Sequence, residues 1–498
     1  MGAEQIKHVF VLMLENRAFD HMLGFSGING IDAETGQPTT MRGLDGTETN
    51  PYNGTSYPAT PGADWVMPVD PGHEFSDVLE QLGGSGAVYP PGGAYPPILS
   101  SGFVASYMAT CAAARTTGVP GEIMKCYAPE QLPVLNALAR EFAICDSWHA
   151  SMPGPTWPNR MFLHAASSGG LDHSPTTAEI VLWETLDGFH FANGTIFDAL
   201  QQKGVKRCLY AGDDFPMVAA LKGITLGDIR QYHNFAPDLQ QDYPYSYAFI
   251  EPSYNATGDY KCSTSQHPLD DVTRGEALIK CTYEAIRNSP VWESSLLVIT
   301  WDEHGGFYDH VAPPPAAAPA DGPGSGHNQS GFTFERYGVR VPAVIVSPLI
   351  PANRIDHRLY DHASIPATLE ALFGLQPLTG RDGAANNLTP LVTLSAPRTD
   401  APASLPSPAA SGITGCPGFD CSSTSLQELA DTVSAVADPG ASVNTGNLPS
   451  VIHGALRQDL ALDPDRRQQI LAQVSSLKTR ADAAQYLDQV RQKIRAAR

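Results

Sequence analysis

The chain has 498 residues, a formal net charge of −21 and an apolar fraction of 42%. That length can bury a large core and leaves room for more than one domain. The acidic balance excludes general nucleic-acid binding, which needs a basic face, and simple electrostatic docking on anionic membranes.

No apolar run reaches the ~18 residues of a membrane span. The start, Met1-Gly2-Ala3-Glu4-Gln5-Ile6-Lys7, lacks a charged n-region and a cleavage site. The expectation is a cytoplasmic chain, or a secreted one whose leader has been removed. Apolar runs at 8–14, 141–145, 207–210, 247–250, 295–300 and 341–346 predict strands. Most are continuous rather than alternating, as in a parallel sheet covered on both faces. Helical spacing lies between them at 132–140, 160–167, 196–203, 273–288 and 363–373. Strand–helix alternation predicts a doubly wound, mostly parallel α/β sheet with helices on both faces.

Residues 26–130 are rich in Gly, Pro, Thr and Tyr and read as a long ordered insertion or lid over the active-site rim. The expected organisation is a catalytic domain over 1–395 and a Pro/Ala/Ser linker over 396–411. A C-terminal helical tail follows over 412–498, with helices at 425–436 and 464–498 packed on the surface. There are eight cysteines and no CxxC pair, so a zinc ribbon is not expected. Local disulfides are open to Cys111/Cys126 and Cys416/Cys421, and Cys145 reads as a buried strand thiol.

The chemistry gathers at strand exits, where doubly wound sheets bind ligands. The first strand ends in Glu15-Asn16, and 295–300 runs into Trp301-Asp302-Glu303-His304-Gly305-Gly306-Phe307-Tyr308-Asp309-His310. Adjacent carboxylates repel unless a cation or proton intervenes, and mixed carboxylate and amide oxygens suit a divalent metal. Thr156 follows a rigid Pro153-Gly154-Pro155 turn and opens a helix with Pro158 in its first turn. Helix amides there favour an anion such as phosphate, and the hydroxyl is a candidate nucleophile, although an ordinary Thr N-cap has the same geometry. His73, His267, His304 and His310 lie in Pro/Gly loops or near strand exits. They are candidates for phosphate-oxygen donors and a general acid. Glu251 is a further strand-exit acid, expected with Asn159 on the substrate side.

Five blocks resemble the phosphoesterase family of non-specific phospholipases C and related acid phosphatases, in the alkaline-phosphatase-like superfamily. They are Glu15-Asn16-Arg17-Ala18-Phe19-Asp20-His21, Asp70-Pro71-Gly72-His73, Pro155-Thr156-Trp157-Pro158-Asn159-Arg160, Gln266-His267-Pro268 and the run from Asp302 to His310. They stand in the family's order between residue 8 and about 375, and the chain beyond 396 is not covered. The resemblance implies one metal ion held by Glu15, Asn16, Asp302, Glu303 and the nucleophile Thr156. The metal's identity stays open among Mg, Mn, Ca, Zn and Fe. The resemblance also implies that His73 and His267 contact the phosphoryl group, with His304 and His310 carried over as catalytic.

Thr156 matches the phospholipase-like members, where the acid-phosphatase branch carries Ser. Ala18 replaces the commonest Ser, and His149 stands where an aromatic residue is common, which puts a polar group near the rim. The expected activity is phospholipase C-type cleavage of a phospholipid through a phosphothreonine, with transient contact with lipid surfaces. The alternatives are an acid phosphatase on small phosphomonoesters and a non-catalytic binder of phosphorylated ligands. A sulfatase would need Cys or Ser for formylglycine, which Thr156 cannot supply.

Overall fold

The computed structural model describes residues 2–186, 188–322, 326–422 and 436–497. Ten strands form one sheet. In chain order they are β1 (His8–Leu14), β2 (Asn29–Asp32), β3 (Pro38–Thr40), β4 (Ala143–Cys145), β5 (Arg207–Ala211), β6 (Ile229–Gln231), β7 (Tyr247–Glu251), β8 (Ser295–Trp301), β9 (Ala343–Val346) and β10 (Arg354–Asp356). Across the sheet they run β6-β5-β7-β1-β8-β9-β4-β10-β2-β3. Neighbours are parallel except β9, which opposes β8 and β4, and β3, which opposes β2.

The apolar runs explain the centre of this sheet. Val11 and Leu12 on β1 and Val298 and Ile299 on β8 are completely buried. A strand covered on both faces has no solvent side to alternate toward. Each such side chain contributes roughly 1.5–3 kcal/mol through burial. Register then sets the site: Leu14 pairs with Trp301, so Glu15 and Asp302 leave the sheet side by side. β7 borders β1 on its other edge.

The helices that matter below are α1 (Phe75–Gly83), α2 (Phe103–Ala113), α3 (Pro133–Glu141), α4 (Thr156–Ala165), α5 (Thr177–Leu186), α6 (Ile196–Gln202), α7 (Val272–Arg287), α8 (Ser364–Phe373), α9 (Leu448–Leu462), α10 (Arg467–Ser476) and α11 (Arg480–Ala497). α3 packs on α7, and α4 packs on α6 and α8, giving the two helical layers of a doubly wound sandwich. Among the described residues, no helix is long and apolar enough to cross a membrane.

The insertion, expected to be ordered, holds regular structure: β2 and β3 extend the sheet edge, Thr49–Tyr52 pairs with Thr55–Pro58, and α1 and α2 pack on each other. Three other expectations change. The disulfides join Cys262 to Cys416 and Cys281 to Cys421, while Cys111, Cys126, Cys145 and Cys208 are buried free thiols. Bridging needs Cα atoms about 4.4–6.8 Å apart, and the fold meets that for partners 154 and 140 residues apart in sequence.

The stretch read as a linker is a strap rather than a free spacer. Tyr283 Oη and Lys280 Nζ of α7 donate to the carbonyls of Pro402 and Leu405. The tail is also no surface appendage. Ile452 and Leu456 of α9 and Tyr486, Leu487 and Val490 of α11 form a second core with Trp157 and Met161 of α4 and with Trp183 of α5. The helix expected over 425–436 falls outside the described residues apart from residue 436.

Candidate active site

The turn before Thr156 is held from inside α4. Asn159 Oδ1 accepts the Met152 N–H at 3.0 Å, and its Nδ2 donates to the carbonyls of Met152, Gly154 and Pro155. Asn159 is completely buried, and all its hydrogen-bonding groups serve this turn. It fixes where Thr156 stands, which is not the substrate contact expected of it. Thr156 opens α4 behind Pro155, at the end of the helix where the first N–H groups have no partner within the helix.

Thr156 lines a cavity of about 320 Å³ together with Glu15, Asp70, His73, Glu74, Tyr260 and His267. Asn16, which follows Glu15, and Asp302 and Glu303, which follow Trp301, are buried and are not part of the lining. Two glycines draw these pieces together. Gly305, at φ +63°, passes so close to the Asn16 carbonyl that a Cβ would collide with it. Gly306, at φ +75°, would put a Cβ 2.7 Å from the Gly72 carbonyl. Both positions demand the left-handed backbone and the missing side chain that glycine supplies.

The electrostatics of this cluster do not close among the protein groups. Arg160 Nε donates to Asp302 Oδ2 at 2.8 Å, and Asp302 Oδ1 accepts the Glu303 N–H at 2.8 Å. Glu15 Oε2, Asn16 Oδ1 and Glu303 Oε1 are buried with no hydrogen-bond partner. Burial and the charge of Asp302 push the Glu15 carboxyl well above the usual range. Burial, opposed by Arg160 and reinforced by Glu303, pushes Asp302 up to about 7. Burial also works to raise Glu303, but His73, His304 and the Gly305 N–H outweigh it and hold the carboxyl below its ordinary value. Buried orphan oxygens are rare in proteins. Three such oxygens, all hard donors, are the donor chemistry that a divalent cation takes.

The histidines divide. His73 directs Nδ1 at the Pro71 carbonyl, 2.8 Å away. Burial disfavours its charge, but Glu303, Asp70 and Glu74 outweigh burial and raise it to about 10. His267 accepts the Leu269 N–H on Nδ1, and its Nε2 lies 3.4 Å from Asp70 Oδ2. Burial lowers its pKa against the pull of Asp70. Arg17 holds the loop behind it, donating to the Gln266 and His267 carbonyls.

The structure does not bring His304 or His310 to the cavity wall. His304 is buried between Gln81, at 2.7 Å, and Glu303, at 3.4 Å. His310 sits on Asp20 at 2.6 Å, beside Asp309 and Arg340. Glu251 is turned away as well: its carboxylate accepts the Met217 and Val218 amides. His149 gives its Nδ1 to the Gly338 carbonyl and is buried, so it adds no polar group to the cavity.

Among the described residues, Asp20, Asp309 and His310 are the group of acids and histidines whose ligand atoms all lie within 4.8 Å of one another, which the Glu15, Asp302 and Glu303 set does not match. Here Arg340 already pairs with both acids, at 2.9 Å each. Four site groups were not picked out from the sequence: Arg160, Asp70, Tyr260 and Asn447. The first two lie inside quoted motif blocks. The last two carry no local signal.

The model of the phosphoesterase family matches residues 6–376. Non-specific phospholipase C6 of Arabidopsis thaliana is 36% identical over 423 residues, spanning 80% of this chain and 75% of the relative. Phospholipase C A of Mycobacterium tuberculosis is 24% identical over 434 residues, spanning 79% of this chain and 78% of the relative. Among solved structures, the phosphonate monoester hydrolase of Agrobacterium radiobacter aligns over 53% of this chain and 73% of that one, at 14% identity and a TM-score of 0.31.

Proposed function

The chain belongs to the phosphoesterase family and is a hydrolase of phosphoric ester bonds; from that premise we propose that it is a metal-dependent phospholipase C working through Thr156. The observation that carries this reading is the shared cavity. Thr156, at a helix N-terminus, lines it with His73, His267 and Glu15, and Glu15, Asn16 and Glu303 carry buried oxygens without partners. Phospholipase C relatives over most of the chain support a phospholipid as substrate.

Glu15, Asn16 and Glu303 would hold one divalent ion through their free oxygens, with Asp302 and Thr156 completing the set. When bound, such an ion supplies positive charge that eases ionisation of the Thr156 hydroxyl and offsets charge developing on phosphorus. Thr156 Oγ1 gives its proton to solvent water and bonds to phosphorus while the bond from phosphorus to the glycerol oxygen breaks. Charged His73 and the first N–H groups of α4 stabilise the phosphoryl oxygens. His267, which lines the cavity where His310 does not, gives its proton to the departing diacylglycerol oxygen. Water then gives a proton back to His267 and bonds to phosphorus while the bond from phosphorus to Thr156 Oγ1 breaks, which releases the phosphorylated headgroup.

Incubation with phosphatidylcholine, with and without chelator, tests the reading. Diacylglycerol plus phosphocholine, lost on chelation, is the expected result. Phosphate release from an aryl phosphate without lipid cleavage would move the protein to the phosphatase branch. Neither activity would leave it a binder of phosphorylated ligands.

A further inference from the structure

The Glu15 carboxylate is held from an unexpected direction. Its Oε1 accepts the side-chain amide of Asn447, while Oε2 stays buried and unpartnered. Asn447 lies well past residue 376, where the family match ends. Its backbone N–H donates to the Tyr260 hydroxyl at 2.8 Å. The Tyr260 ring lies flat on His267, with centroids 3.4 Å apart and planes 1° from parallel. Gly446, at φ +52°, has no room for a Cβ beside the Tyr260 hydroxyl.

The segment is anchored on both sides. Asn444 Oδ1 accepts the backbone N–H and the hydroxyl of Thr177 at the start of α5. In α9, His453 stacks on Trp157, the residue after the nucleophile, and meets Glu184 of α5 at 2.8 Å. Asn444, Gly446, Asn447 and Pro449 line the same cavity as Thr156.

We propose that residues 444–449 form a working wall of the active site, with Asn447 a positioning residue that acts through Glu15. This rests on the reading of Thr156 and the metal set given above. A carboxylate with two equivalent oxygens can turn about its last bond. An amide donor on one oxygen fixes the turn and presents the other to the ion. Groups that orient ligating carboxylates in this way typically change metal affinity or activity by about 10–100-fold when removed. The second link, from the Asn447 N–H through Tyr260 to His267, ties the same residue to the far side of the cavity.

The test uses the full-length chain, stripped with chelator and titrated calorimetrically with Mn²⁺ and Ca²⁺ in turn, alongside kcat and KM on a soluble phosphodiester. Asn447→Ala is expected to weaken ion binding and lower kcat by roughly 10–100-fold, with KM and Tm little changed. Asn447→Asp, which sets a second carboxylate against Glu15, should lose more. Tyr260→Phe keeps the ring on His267 and should lose less. Unchanged ion affinity and kcat in Asn447→Ala would overturn the proposal. So would a loss of Tm equal in both Asn447 variants with kcat of the folded fraction intact. Thr156→Ala separates the two levels: if it stays active, or if the wild type binds neither ion, the underlying reading fails whatever Asn447 does.

Discussion

Two acidic clusters follow β1 and β8 along the chain, and the cation proposed above belongs to only one of them. In the first, the Glu15, Asp302 and Glu303 carboxylates meet a single guanidinium, Arg160, which reaches only Asp302. Glu15 Oε2, Glu303 Oε1 and the neighbouring Asn16 Oδ1 are left without partners. In the second, Asp20 and Asp309 share Arg340, and His310 adds a further donor to Asp20. Asp309 also accepts the N–H groups of Asp20 and Val311. Both clusters are buried and both mix acids with a histidine. The difference is whether an arginine already stands where an ion would sit. An acid cluster already paired with an arginine offers less to an incoming ion than one with unpartnered oxygens.

The comparison can be broken most sharply at the nucleophile. Thr156→Ala should lower turnover by at least roughly 10³-fold, as loss of a nucleophile does, with ion binding kept and Tm near that of the wild type. A variant within tenfold of normal activity would remove Thr156 from the mechanism. Next, the clusters should respond in opposite ways to removal of one charge. Asp309→Asn should lower unfolding free energy by roughly 3–5 kcal/mol, because it leaves a buried guanidinium half-paired, while the folded protein keeps most of its kcat. Glu303→Gln should do the reverse. Turnover should fall by about 100-fold or more, and chemical denaturation should show a smaller stability loss than in Asp309→Asn, since Glu303 Oε2 is paired with the Gly305 N–H and His304 while Oε1 has no partner to lose. Equal stability losses in both variants would erase the distinction.

The smallest effect is pH-dependent. Burial works against the charge of His310, but Asp20 outweighs it and raises the pKa above 6.5. A raised folded-state value means that the His310–Asp20 contribution is complete below about pH 6.5 and fades as pH rises through the folded pKa. Denaturation of His310→Asn against the wild type should therefore show a gap that narrows as pH rises. A gap that widens would contradict the pairing.

Much of this was legible in the sequence, and the failures have physical causes. Continuous apolar runs placed β1, β7 and β8, and their polar exits placed Glu15, Asp302 and Glu303. A proline-rich turn ahead of a helical pattern placed Thr156. The same apolar runs hid the direction of β9, because a strand buried on both faces looks alike whether it runs parallel or antiparallel.

His304 and His310 stand as close in sequence to Glu303 as a ligand would. Their destinations depend on Gln81 and Asp20, which come from distant segments. Asn159 read as a substrate contact because a motif shows residue type and spacing, not which way an amide points. The disulfides and Asn447 were out of reach for the same reason. Their partners lie more than a hundred residues away, and nothing in the composition of 412–498 shows that it returns to the active site.

The most direct test of the central claim is divalent metal stoichiometry, measured by elemental analysis on the wild type, Glu303→Gln and Asp309→Asn purified side by side. The account predicts about one ion per chain in the wild type and in Asp309→Asn, as one hard-ligand site requires, and none retained in Glu303→Gln. Loss of the ion in Asp309→Asn with retention in Glu303→Gln would put the metal in the other cluster and contradict the account.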